Sequence, residues 1–186
     1  MKLRTLFLAI LMAAHLPAAV LSYSGVFDSD DGVAFFGFTM DSPGTTEIRT
    51  LSAANGGFDP YLALFDANGT QLLLDLNEDE PGCGCLDSLI TLTTPGSYIL
   101  ALTQSGNFPL GPTLADGFTQ QGNGNFTGGP FTDVFGDTRT GDWEVEINGP
   151  VSAPTGEVPE PATAALLAAG LSALALTRKR RLKNTR

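Results

Sequence analysis

Between residues 23 and 149 no long stretch carries apolar residues at helical spacing. Short β-rich runs alternate instead with Gly, Pro, Asn and Asp turns at near-regular intervals, and a chain patterned this way folds into antiparallel sheet. The runs cover residues 23–27, 33–40, 45–52, 61–66, 70–76, 88–93, 97–103 and 143–147. Ala67-Asn68-Gly69 is a tight-turn signal, since Asn and Gly tolerate positive φ, and it joins two of the runs as a hairpin. Thr94-Pro95-Gly96 joins another pair. About eight short strands in one domain-sized segment predict an all-β antiparallel sandwich. Residues 104–141 are irregular and rich in Gly, Asn and Phe, and are expected to pack their phenylalanines over a sheet edge.

Charge narrows the function classes. All 20 acidic residues lie between Asp28 and Glu160, where Arg49 and Arg139 are the only basic ones, so that span carries a formal −18. Such a surface repels nucleic acid, whose affinity rests on Lys and Arg, and attracts divalent cations. The single histidine, His15, precedes the sandwich. The body therefore has no imidazole for a Ser-His-Asp or Cys-His nucleophile, nor for a His-ligated metal. No Gly-rich phosphate loop opens a helix pattern. The expectation is a non-catalytic protein.

Both ends carry addresses rather than core. Lys2 and Arg4 precede an apolar run from Leu6 to Leu21 that closes on small residues, the order of a secretory signal peptide over residues 1–22. Cleavage is expected after Ser22, with Ala19 as the alternative. That implies the Sec translocon and signal peptidase as partners. At the other end a Pro-rich linker, residues 150–161, closes on Val158-Pro159-Glu160-Pro161. An apolar segment follows at 162–177, predicted as a transmembrane helix. As a helix, the 15 residues from Ala162 to Leu176 would span roughly 22 Å, short of a hydrocarbon core of about 30 Å. The tail, 178–186, opens with the basic cluster Arg178-Lys179-Arg180-Arg181, which holds it in the cytoplasm.

This ordered tail resembles the PEP-CTERM sorting signal of Gram-negative bacteria. The resemblance implies an exosortase as processing partner, transient inner-membrane anchoring with the C-terminus cytoplasmic, and then a cell-surface or extracellular location. It also implies an association with exopolysaccharide. The middle of the chain has its own resemblance. The run Gly57-Phe58-Asp59-Pro60-Tyr61-Leu62-Ala63-Leu64-Phe65-Asp66-Ala67-Asn68-Gly69, then Asp87-Ser88-Leu89-Ile90 and Pro95-Gly96-Ser97-Tyr98-Ile99-Leu100, is similar to the bacterial pre-peptidase C-terminal domain. That implies a jelly-roll-like sandwich, over residues 23–149, serving as a non-catalytic accessory module.

Three local features are candidates for chemistry. Asp75, Asn77 and Asp79 put oxygen ligands at alternate positions, the start of a calcium-loop pattern. The pattern departs from an EF-hand at Glu80 and Leu86, where the turn Gly and the bidentate Glu belong; Asp28, Asp30 and Asp31 are further calcium candidates. Calcium is the one cofactor these residues point to, and a solvated acidic loop is the alternative. Cys83-Gly84-Cys85 is read as a disulfide in an oxidising compartment, made feasible by Gly82 and Gly84. Carboxylate pairs are everywhere in so acidic a chain, and none is singled out by spacing as a hydrolase dyad. The leading expectation is thus a secreted surface or exopolysaccharide-matrix protein, with a calcium- or carbohydrate-binding module as the alternative and a carboxylate-based hydrolase behind both.

Overall fold

The computed structural model describes residues 18–154, apart from Gly69, Glu78, Cys83 and Gly84. Nine strands are present among them: β1 Ala19–Val26, β2 Val33–Met40, β3 Thr46–Thr50, β4 Pro60–Asp66, β5 Leu73–Asn77, β6 Leu89–Leu92, β7 Gly96–Gln104, β8 Asp142–Gly149 and β9 Val151–Ser152. They form a four-stranded sheet, β1-β8-β3-β6, and a five-stranded sheet, β5-β4-β7-β2-β9. β1 pairs with β8, β2 with β7, β3 with β6 and β4 with β5, all antiparallel. This is one long ribbon folded at the β4–β5 hairpin and rolled so that successive pairs fall in alternate sheets, the winding of a jelly roll.

Alternation explains the two-sheet core. Phe36, Phe38 and Met40 from β2 face inward with Leu62 and Leu64 from β4 and Leu100 and Leu102 from β7. They meet Ile48, Ile90, Val145 and Ile147 from the opposite sheet. Period-2 placement of Ile, Val and Leu on the pleat produces such a face. β4 breaks the alternation, because every residue from Pro60 to Phe65 is buried. Its outward residues Tyr61, Ala63 and Phe65 join Ala101 and are covered by Phe118. The irregular segment thus packs on the outer face of the five-stranded sheet. Phe118 and Phe131 are buried, whereas Phe108 and Phe135 stay exposed, Phe135 at 77%.

Turn chemistry locks the ribbon. The Tyr98 hydroxyl donates to the Thr94 carbonyl at 2.6 Å, tying the start of β7 to the turn before it. Asp66 closes the β4–β5 connection by accepting from the Leu72 N–H at 3.0 Å and the Asn68 N–H at 3.3 Å. That connection is wider than the tight turn expected from Asn68-Gly69, since β5 starts at Leu73 and a bulge shifts the register between Leu64 and Phe65.

Both ends of the sandwich differ from the sequence expectation. β1 begins at Ala19, four residues before the expected Tyr23, and β9 adds a short edge strand beyond residue 149 through Met40 and Val151. The signal-peptide segment upstream of residue 18, the sorting motif, the apolar run at 162–177 and the basic tail lie outside the described residues. Among the described residues no helix is long and apolar enough to cross a membrane.

Candidate functional site

The sandwich ends at β9, on the edge of the five-stranded sheet beside β2, so the linker toward Val158-Pro159-Glu160-Pro161 leaves the fold from a defined strand. The Asp41 N–H holds the Pro150 carbonyl at 2.8 Å, and the Ser152 hydroxyl donates to the Asp41 carboxylate at 2.9 Å. These contacts tie down residues 150–152, the start of the segment expected as linker, as part of the sandwich.

The acidic loop between β1 and β2 is a hub rather than an open patch. Asp30 is fully buried. One of its carboxylate oxygens accepts from the Phe131 N–H at 2.6 Å, and the other from the Thr127 N–H at 3.0 Å and from the Thr127 hydroxyl. Its own N–H donates to Asn125 at 3.2 Å. Asp31 takes the Gly122 N–H at 3.0 Å and the Ser29 hydroxyl. The Ser29 hydroxyl holds the Asp31 carboxyl below the usual carboxylate range, burial opposes it, and the N–H groups of Gly124 and Gly122 add to the lowering. These bonds anchor the irregular segment across about a hundred residues of sequence, and they fix Phe131 at φ 52 against Phe58.

Two further buried acids, which the sequence did not single out, work the same way. Asp87 accepts from the Thr50 hydroxyl at 2.9 Å and from the N–H groups of Ala53 and Ala54 at 3.1 and 2.8 Å. Asp133 accepts from the Phe135 and Asp137 N–H groups and, at 2.8 Å, from Arg139 Nε. Burial pushes the Asp133 carboxyl up, and the Asp137 N–H, the Arg139 guanidinium and the Phe135 N–H outweigh it and hold the group below its ordinary range. Asp133-Val134-Phe135-Gly136 is an Asx-turn pattern that sequence could have flagged. The partners of Asp87 sit 33 to 37 residues upstream, and no local signal marks them.

The calcium candidates fall in two places. Asp28, Asp30 and Asp31 lie in the β1–β2 loop, while Asp75 and Asn77 lie on β5, which β4 and β7 separate from β2. Asp75 is exposed and accepts the Leu76 N–H, Asn77 accepts the Leu89 N–H at 2.8 Å, and Asp79 is exposed just beyond the strand. Among the described residues no group of three or more His, Cys, Asp or Glu is placed to hold a metal ion. Cys85 is disulfide-bonded. Cys83, the only other cysteine of the chain, lies outside the described residues.

Two shallow clefts among the described residues hold candidate polar groups. One, of about 320 Å³, lies between β1, the loop after β3 and β8, with Asn55, Asp142, Trp143 and Glu144 in its wall. The other, of about 280 Å³, is walled by Asp59, Gln104, Phe108, Thr132, Asp133 and Val134. Asp116, which accepts from the Thr113 hydroxyl and N–H, is held below the ordinary carboxylate range, as Asp31 and Asp133 are.

A family model described as the PEP-CTERM protein-sorting motif matches residues 157–181. No curated protein matches the chain. Among solved structures, the pre-peptidase C-terminal domain of a collagenase from Bacillus anthracis is similar at 12% identity, over 72% of this chain and 88% of that one, with a TM-score of 0.38. The chain carries a PEP-CTERM protein-sorting motif at residues 157–181, borne behind an all-β body of two antiparallel sheets.

Proposed function

We propose that this is an exported, non-catalytic protein whose sandwich is cargo for an exosortase. The chain enters the inner membrane through the Sec translocon and loses its leader to signal peptidase. It is held by the apolar run at 162–177 with Arg178-Lys179-Arg180-Arg181 inside, and is cut near Val158-Pro159-Glu160-Pro161. The sandwich then reaches the cell surface or an exopolysaccharide matrix, where its −18 span keeps it soluble. The observation that supports this reading is the sorting motif at 157–181, placed just after a fold that closes at Ser152. The test replaces Pro159-Glu160-Pro161 with alanines in an exosortase-bearing host and follows the intact mass of membrane and medium fractions. Release of a tail-less body from the unaltered chain, and retention of the altered one in the membrane, is the expected result. Release of both alike sinks the proposal.

A carbohydrate-binding reading has one observation in its favour. Phe108 and Val134 wall the smaller cleft, and Val134 and its neighbour Phe135 are 68% and 77% exposed. Exposed rings beside hydroxyl and carboxylate acceptors suit a sugar face. Titrating the body with the host's exopolysaccharide, against a Phe135→Ala variant, decides it. Binding lost in the variant favours a module, and silence in both removes it.

A further inference from the structure

The leader's end and the sandwich's first strand compete for the same residues. β1 starts at Ala19 and pairs with β8 through eight positions, from Ala19 opposite Gly149 to Val26 opposite Asp142. Its burial alternates without a break, and Ala19, Leu21 and Tyr23 all pack against the core. The Tyr23 ring lies 4.7 Å from that of Phe36. A cut after Ser22 removes Ala19, Val20, Leu21 and Ser22, half of the eight pairs. It strips the Leu21 side chain from the core and leaves the backbone of Glu146, Ile147, Asn148 and Gly149 without a partner on that side. β1 is the edge of its sheet, so no other strand stands ready to replace it. A cut after Ala18 or Ala19 leaves at least seven pairs and all of Leu21. Both bonds follow an alanine, the small residue that the leader pattern places immediately before a cut, as Ser22 also is.

We infer that the leader is removed at Ala18 or Ala19, not at Ser22, and that the mature protein begins at Ala19 or Val20 with β1 intact. The inference rests on the export reading above, yet it concerns only the N-terminal cut. Leader and body therefore meet at the end of the apolar run, and the last residues of that run serve twice: first as hydrophobic leader, then as core-facing strand.

The exported protein is isolated from the host and its N-terminal residue is determined by sequencing and by intact mass. An N-terminus at Ala19 or Val20 is expected. Tyr23 overturns the inference, and Met1 overturns both it and the cleaved-leader reading. The state of the C-terminus is read from the same molecule, so a failed sorting proposal is told apart from a failed N-terminal one. A Leu21→Ala variant gives a second, independent reading and stays apolar enough to leave the leader functional. If Leu21 belongs to the mature chain, the exported variant is lighter by the side-chain difference and melts several degrees lower. If Leu21 leaves with the leader, mass and melting temperature match the parent, and the inference fails.

Discussion

Asp30 shows how this fold uses its acids. A carboxylate with no exposed surface receives two backbone N–H groups and a hydroxyl, all from residues 97 to 101 positions downstream. Replacing it with alanine leaves the two N–H groups without an acceptor, each at about 1–3 kcal/mol before relaxation, while the Thr127 hydroxyl keeps the Gly129 carbonyl at 2.6 Å. Asp30→Ala is therefore expected to cost about 3 kcal/mol in denaturant unfolding, with hydrogen exchange accelerated over 122–132 first. Asp30→Asn, which keeps an acceptor, should cost less. A change below half a kcal/mol in the alanine variant contradicts the hub. Asp31 and Asp133 set the acid limb of stability. Both carboxyls titrate below their unfolded value of about 3.9. The folded state then binds fewer protons than the unfolded one, so their contribution is complete above the unfolded pKa and is lost as pH falls through the folded values. Melting temperature is expected to be level from pH 7 to about 5 and to drop below about 4. In Asp133→Asn the drop should be shallower from a lower plateau. The sequence marks Asp28 and Asp30 as oxygen ligands because closely spaced acids look the same whether they await a cation or backbone N–H groups. Only the fold brings Thr127 and Phe131 to Asp30.

At the scale of elements, alternation and turn residues were enough to place eight strands within a few residues. Where they misplaced an end, a competing signal is visible. Ala19, Val20 and Leu21 read as leader because they continue an apolar run, while the structure uses them as the outer half of β1. β4 reads as an alternating strand, yet Phe118 and its neighbours cover its second face, and that cover comes from a segment with no periodicity of its own. β9 has two residues and follows Pro150, too little for any pattern. Between β1 and β8 the cross-strand pair Gly25–Trp143 depends on one glycine, because a Cβ at Gly25 would overlap the six-membered ring of Trp143. That ring also packs edge-on against Phe36, with centroids 5.5 Å apart. Gly25→Val should displace the indole and cost about 1–3 kcal/mol, the range for overpacking. The tryptophan emission of the folded protein should move to longer wavelength, and since Trp143 is the only tryptophan the shift reports this site alone. Unchanged emission and stability would mean that the ring does not lie over Gly25 in solution.

For the whole molecule the governing quantity is charge. The described body has two ion pairs, Arg49 with Glu80 at 3.3 Å and Arg139 with Asp133 at 2.8 Å, and these use the only two basic residues of the −18 span. The remaining acids repel one another across the surface, which opposes compactness. At physiological ionic strength the screening length is about 8 Å, against about 30 Å at 0.01 M. The melting temperature should therefore climb with sodium chloride over that interval, the reverse of a protein held by surface ion pairs. Calcium separates the two uses of acidic residues that the sequence leaves open. At matched ionic strength, diffuse screening of the −18 span makes calcium and magnesium raise the melting temperature by similar amounts, without saturation. Ligation at Asp75, Asn77 and Asp79, or at Asp28, makes calcium act at low concentration and saturate, with the gain erased by chelator, because a ligand bound only to the folded state stabilises it by RT ln(1 + [L]/Kd). Asp30 already spends its oxygens on Thr127 and Phe131, and the two groups of acids stand on separate elements. The expected outcome is screening without saturation. A saturable calcium shift that Asp75→Asn abolishes would make the β5 loop a metal site.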